Sequence, residues 1–180
     1  MQCVEFVQPA ERLISGDSQG HVRVWDLDTA RSVVTDAHGS NAGVLQLQSL
    51  TQDLIASQGR DGEVKFWHLR QNGSLEGAGV LPSNGFHFCK CRAHACPSSP
   101  ADSVESLPAQ ALTTYEADLR LFHTWDMRAR AIAIETPHDK QYGTAMCVQI
   151  SATASAPLLT CGCGMPAGLR SAMQCACTRR

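Results

Sequence analysis

Aromatic side chains supply only 6% of the 180 residues, and no apolar run reaches the length of a membrane-spanning helix. Neither sign of charge dominates. Fifteen basic against seventeen acidic residues leave a net charge of −2. That balance argues against an electrostatically driven nucleic-acid binder and gives no reason to invoke an anionic membrane. The opening stretch, with Glu5 and Glu11 and no basic segment leading into an apolar one, does not read as a secretory signal. A soluble, intracellular chain is the expectation. Also missing are a G-x-S-x-G elbow, an H-E-x-x-H pair, a phosphate-binding GxxxxGK[ST] loop and a dinucleotide fingerprint. These absences remove the commonest routes to catalysis. No apolar stripe at helical spacing runs longer than two turns, so an all-β chain is expected.

Internal repetition is the strongest positive signal. Leu13–Leu27 (LISGDSQGHVRVWDL) lies over Ile55–Leu69 (IASQGRDGEVKFWHL) without gaps, at an offset of 42. Ser15 falls on Ser57, Gly20 on Gly62, Val22 on Val64, Trp25 on Trp67 and Leu27 on Leu69, and the basic residues Arg23 and Lys65 also match. A third tryptophan, in Trp125-Asp126, closes a similar run, Leu119–Met127. Within each unit side chains alternate with the period of a strand: Val22, Val24 and Asp26 on one face, His21, Arg23 and Trp25 on the other. A small-residue, turn-rich segment precedes each such strand. In the second unit it contains Asp61-Gly62, a hairpin signal because glycine tolerates positive φ.

A unit of about 40 to 45 residues ending in Trp-Asp is the signature of a four-stranded propeller blade. These residues resemble the WD-repeat family. The resemblance implies a hydrogen-bonded chain of histidine, serine, aspartate and tryptophan within a blade. The second unit carries all four: His38, Ser57, Asp61 and Trp67. The first has Ser15 and Trp25, with Gln19 in the place of the aspartate and no histidine. The third has Trp125, with Leu119 at the turn position and Asp118 one residue away. Ser57, His38 and Asp61 are also the residue types of a catalytic triad, but in a blade they are structural, so no catalytic residue and no enzyme activity is expected.

The pattern divides the chain into a blade over 1–35, a second over 36–82, a divergent third over 85–136, half a blade over 142–162 and an irregular tail over 163–180. The third blade is expected to start with a strand at Phe86–Arg92. The segment His94–Gln110, rich in serine and proline, reads as a loop insertion, with Ser99-Pro100 as a weak modification site. The expected architecture is an incomplete WD-type β-propeller of about three and a half blades, because propellers use four to eight. A truncated product, or a ring completed by another copy or partner, follows from that inventory, with truncation favoured. Exposed apolar edges and poor behaviour in isolation follow too.

Six of the nine cysteines form Cys-x-Cys pairs: Cys89/Cys91, Cys161/Cys163 and Cys175/Cys177. Without a secretory signal, thiols are the default. Cys161, Cys163, Cys175 and Cys177 together offer four thiolates, which makes a small zinc-binding module the alternative reading. Structural zinc sites space their near ligands by two to four residues, so no metal and no cofactor is the preferred expectation.

Further words narrow the resemblance. Ile55–Trp67, Gly85–Lys90 (GFHFCK) and Ala145–Ile150 followed by Pro157–Gly162 are similar to the ASTRA-associated WD-repeat proteins, also described as guanine nucleotide-binding protein β-subunit-like. The similarity extends over about residues 1–162 and is most specific around 54–69. It implies a non-enzymatic scaffold, nuclear or cytoplasmic, working with proteins of multi-subunit assemblies in chromatin remodelling and in maturation of phosphatidylinositol-3-kinase-like kinases. It implies no direct nucleic acid, membrane or small-molecule partner.

Overall fold

Val22 and Val24 are buried while His21, Arg23 and Trp25 are half-buried, and this two-residue alternation makes His21–Asp26 a strand with one apolar face. The same alternation recurs 42 residues on in Glu63–Leu69, where Val64 and Phe66 are buried. A computed structural model describes residues 2–7, 11–83, 89–95, 110–116, 121–126, 131–137, 145–152, 157–163 and 172–174. The described residues form strands and turns with no helix, so none is long and apolar enough to cross a membrane in that form.

The first sheet contains β1 (Cys3–Val7), β2 (Arg12–Gly16), β3 (His21–Asp26) and β4 (Arg31–Asp36). The second contains β5 (Val44–Ser49), β6 (Leu54–Gly59), β7 (Glu63–Leu69) and β8 (Leu75–Pro82). Both are antiparallel meanders in chain order, as is a third sheet of β9 (Arg92–Ala95), β10 (Gln110–Glu116), β11 (Leu121–Asp126) and β12 (Ala131–Pro137). A three-stranded sheet follows, of β13 (Ala145–Ala152), β14 (Pro157–Cys163) and β15 (Ala172–Gln174). Three four-stranded antiparallel sheets are what WD-type blades require. The chain divides into two compact units, Met1–Phe86 and His87–Arg180.

Within the first unit, the core lies between the two sheets. Val7, Ile14, Val22 and Val24 on one face of the first sheet meet Val44, Leu47, Ile55 and Leu69 of the second, with Trp67 and Leu75 packed against them. Each fully buried aliphatic side chain there is worth about 1.5–3 kcal/mol relative to exposure. Gly20 and Gly62 end the β2–β3 and β6–β7 hairpins with φ of +93° and +81°, a conformation costly for residues with a Cβ.

Two expectations need correction. Among the described residues the third sheet opens at Arg92–Ala95, and Cys89–Cys91 of the expected Phe86–Arg92 strand lie outside it. Residues 84–88 lie outside the described residues, while Arg92, Ala93, His94 and Ala95 pair with β10, which returns at Gln110. The insertion gives up His94 and Ala95 to β9. Its remainder, with Ser99-Pro100, is outside the described residues. The irregular tail is interrupted as well: Ala172–Gln174 pairs with Leu158–Thr160 as β15, so the half blade is a three-stranded sheet. Three residues are too few to display an apolar alternation, and backbone pairing does not need one.

Candidate functional site

The β6–β7 hairpin and the loop before β5 converge in the second sheet. His38, on the loop joining β4 to β5, sends its ring beneath the hairpin. Its Nδ1 lies 2.8 Å from Asp61 Oδ2 and its Nε2 lies 2.8 Å from Ser57 Oγ. Trp67 Nε1 donates to the same Ser57 Oγ at 2.8 Å. His38, Ser57, Asp61 and Trp67 thus form one continuous chain. Ser57 is wholly buried and His38 nearly so.

The proton inventory fixes the direction of that chain. An ionised carboxylate only accepts, so Nδ1 carries the hydrogen toward Asp61. The indole only donates, so Ser57 Oγ accepts from Trp67 and is left to donate its hydroxyl proton to Nε2. That order requires a neutral imidazole. Burial holds the His38 pKa below its usual value, against the opposing pull of Asp61. Around the carboxylate, Lys65 Nζ sits 3.3 Å from Asp61 Oδ2 and 3.2 Å from Glu63 Oε2, and donates to the Ala37 carbonyl at 2.9 Å. Asp61 Oδ1 also accepts from the Glu63 N–H at 3.2 Å.

Gly59 makes room for the ring. A Cβ at that position would lie 2.3 Å from His38 Nδ1 and 2.6 Å from Asp61 Oδ1, far inside contact distance. His38 also serves the first sheet, because its backbone N–H donates to the Gly20 carbonyl at 3.0 Å. One residue therefore ties the end of the β2–β3 hairpin to the interior of the second sheet.

The first sheet keeps the tryptophan–hydroxyl bond alone, from Trp25 Nε1 to Ser15 Oγ at 2.9 Å. Its turn is closed by Asp17, a residue missed in the sequence reading. Asp17 Oδ1 accepts from the Gln19 and His21 N–H groups at 2.8 and 3.0 Å, and Oδ2 lies 3.2 Å from His21 Nδ1. Desolvation pushes the Asp17 carboxyl up, but the His21 and Gln19 hydrogen bonds outweigh it and the pKa is lowered. Asp17 stands 42 positions before Gly59, so the repeat offset itself holds the signal: an acid where the partner unit needs a glycine.

In the third sheet Trp125 Nε1 donates to Thr114 Oγ1 at 2.9 Å, a partner that the sequence reading also missed. Ser15 and Ser57 precede their tryptophans by ten residues, and Thr114 precedes Trp125 by eleven. The register explains the difference. Trp25 faces Leu13, Trp67 faces Ile55 and Trp125 faces Leu112, and the hydroxyl lies two residues beyond each facing residue. The third hairpin is one residue longer. Counted from Thr114, Asp118 has the spacing of Asp61 from Ser57, although Asp118 lies outside the described residues. His123 stands edge-on to Trp125, with ring centroids 6.2 Å apart, and its Nε2 lies 3.6 Å from Glu135 Oε1.

Of the cysteines weighed as metal ligands, Cys175 and Cys177 lie outside the described residues, and Cys161 and Cys163 are placed only as backbone of β14. Cys89 and Cys91 are buried. Burial pushes the Cys91 thiol up to about 12, so it is protonated and a poor nucleophile.

No family model matches the chain. It is similar to several known proteins over part of its length. A DDB1- and CUL4-associated factor 11 homolog of Caenorhabditis elegans is 33% identical over 83 residues, 44% of this chain and 14% of that protein. ASTRA-associated protein 1 of Verticillium alfalfae is 32% identical over 82 residues, 46% of this chain and 20% of the relative. Guanine nucleotide-binding protein subunit beta-like protein 1 of Mus musculus is 33% identical over 125 residues, 60% of this chain and 37% of the relative. These relatives are WD-repeat proteins, and the blades of this chain are of the WD type. In these matches the shared span is 14–37% of the relatives' length.

Proposed function

We propose that the chain is a non-enzymatic protein–protein interaction scaffold within a multi-subunit assembly of the kind its ASTRA-associated relatives are named for. The state of Ser57 carries the non-enzymatic part. A nucleophile must present its oxygen to a substrate. Ser57 is wholly buried, and its oxygen is engaged by Trp67 and His38 at 2.8 Å each, so the triad-like trio is spent on holding a blade together. What remains for function is surface, which suits a blade that binds proteins. Roles in chromatin remodelling and kinase maturation, in nucleus or cytoplasm, extend this proposal, as does the view that nucleic acid, membrane and small molecules are not its partners.

A second reading places the chain with DDB1 and CUL4, supported by its similarity to the Caenorhabditis elegans relative named for them. Affinity purification of the tagged full chain from cells, with quantitative mass spectrometry, separates the two. Stoichiometric ASTRA subunits support the first reading. DDB1 and CUL4 in their place support the second. Absence of both overturns the assembly assignment.

A further inference from the structure

The two sheets of the first unit are tied beyond both ends of β2. Past Gly16 the tie is His38, bound to the Gly20 carbonyl. At Arg12 it is a clamp on the turn between β7 and β8. Arg12 Nη1 donates to the Arg70 carbonyl at 2.9 Å, and Nη2 donates to the Gln71 carbonyl. The same Arg70 carbonyl accepts the Gly73 N–H at 2.9 Å, and the Arg70 N–H donates to the Ser74 carbonyl at 2.9 Å. Gly73 is buried with φ of +83°, and a Cβ there would lie 3.4 Å from Val33 Cγ2 of β4. Asn72, next to it, is exposed. Its Oδ1 accepts from the Ser74 N–H at 3.0 Å and from Ser74 Oγ at 2.7 Å.

We propose that Asn72-Gly73 is a site of spontaneous deamidation that Arg12 keeps closed, which goes beyond the scaffold reading above. The Gly73 nitrogen, giving its proton to water, attacks Asn72 Cγ. A C–N bond forms, the side-chain nitrogen takes up a proton and leaves as ammonia, and the product is a succinimide ring. Water then opens the ring at either carbonyl, leaving aspartate or isoaspartate at position 72. Glycine suits this step because it has no side chain to hinder the approach of its backbone. The two Ser74 bonds hold the Asn72 carbonyl across Gly73 and draw electron density away from Cγ. The electrophile is therefore ready, and the nucleophile is withheld, because the Gly73 N–H is spent on the Arg70 carbonyl. Arg12 fixes that carbonyl from the neighbouring sheet, which makes it a positioning residue for the closed turn. Local opening of this tie frees the Gly73 nitrogen. An isoaspartate lengthens the main chain by one atom and keeps the turn from closing again, so a transient opening becomes a permanent one.

Peptide-mapping mass spectrometry of the purified full chain, aged at neutral pH, tests the proposal. Deamidation at Asn72 is expected to run at least roughly tenfold slower in the native wild-type chain than in the same chain unfolded in urea. Arg12→Ala should raise the native rate roughly tenfold, the effect of losing a pair of hydrogen bonds. Arg12→Lys keeps the charge without the paired donors and should accelerate the reaction too, a readout that stands even if Arg12→Ala does not fold. Ageing should lower the urea midpoint of the wild-type chain and leave that of Asn72→Gln unchanged. A native rate equal to the unfolded one, or a rate at Asn72 indifferent to both Arg12 substitutions, overturns the proposal. So does an aged wild-type chain rich in isoaspartate at position 72 whose midpoint has not moved.

Discussion

In the second sheet, the hairpin of β6 and β7 holds the ring of His38, which stands 23 positions before its partner Asp61. In the first, the hairpin of β2 and β3 holds no ring from a preceding loop; Asp17 satisfies turn N–H groups two and four residues away and meets the ring of its own neighbour His21. Two aligned exchanges separate them: Gly59 and Asp61 in one, Asp17 and Gln19 in the other. Gly59 opens the space that the imidazole fills, and Asp61 receives its proton. Where no imidazole arrives from the preceding loop, an acid at the glycine position folds back onto its own turn. The same backbone turn is thus closed either by a distant residue that ties the preceding loop to the blade, or by a local one that ties nothing else. Long-range bonds in a dry site contribute more than local ones at an exposed turn, because water cannot replace the lost partner.

The largest contrast should come from the serines. Ser57→Ala leaves both the half-buried Trp67 N–H and the buried His38 Nε2 without their partner. It should cost about 2–6 kcal/mol, at about 1–3 for each group stranded. Ser15→Ala strands one group, the half-buried Trp25 N–H, and should cost about 1–3 kcal/mol, the smaller loss. Urea midpoints of the two variants measure this difference, and equal shifts would break the comparison.

Gly59→Ala should follow at about 1–3 kcal/mol, because the new methyl meets the His38 ring and the site must deform. Asp17→Ala, at the aligned position, removes hydrogen bonds from an exposed turn and should cost no more than about 1 kcal/mol. A thermal-shift series on both variants checks the order.

Acidity separates the sheets by sign and window. His38 has a folded pKa below the unfolded value near 6.5, so the unfolded chain binds more protons as the pH falls through that value. Stability contributed by the second sheet should therefore be full above about pH 6.5 and decline below it. Asp17 and Asp26 of the first sheet have lowered pKa values, so their contribution persists through that window. It is lost only as the pH falls below the ordinary carboxylate range, about 4. Denaturation midpoints of wild type and His38→Gln from pH 8 to 5 test this. The variant should lose the decline near 6.5, and an unchanged profile would count against a buried neutral imidazole.

The smallest effect sharpens the comparison. Gln19→Asp restores the repeat's aspartate without a histidine to receive, and should change stability by less than about 0.5 kcal/mol. A gain comparable to the loss in Ser57→Ala would show that the aspartate acts without its ring.

How far the sequence displays all this depends on where each signal sits. The 42-residue offset carries the strands of the first two sheets and the Trp–Ser pairs, because both units have hairpins of equal length. It fails in the third sheet, where one added hairpin residue moves the hydroxyl from ten to eleven positions before the tryptophan and hides Thr114. Asp17 was overlooked because an acid in a turn is ordinary, and its meaning appears only beside Gly59. β9 and β15 are short strands of four and three residues, held by backbone pairing that leaves little trace in composition.

The central claim is that His38 makes the second sheet's indole bond part of a sequestered chain, while the first sheet's bond stands alone. Hydrogen exchange of the indole N–H groups, followed by NMR, addresses it directly, since the three tryptophans give three resonances. The Trp67 proton should exchange far more slowly than the Trp25 proton, and His38→Ala should bring the two rates close together. Equal rates in the wild-type chain, or a Trp67 rate indifferent to His38→Ala, would contradict the account.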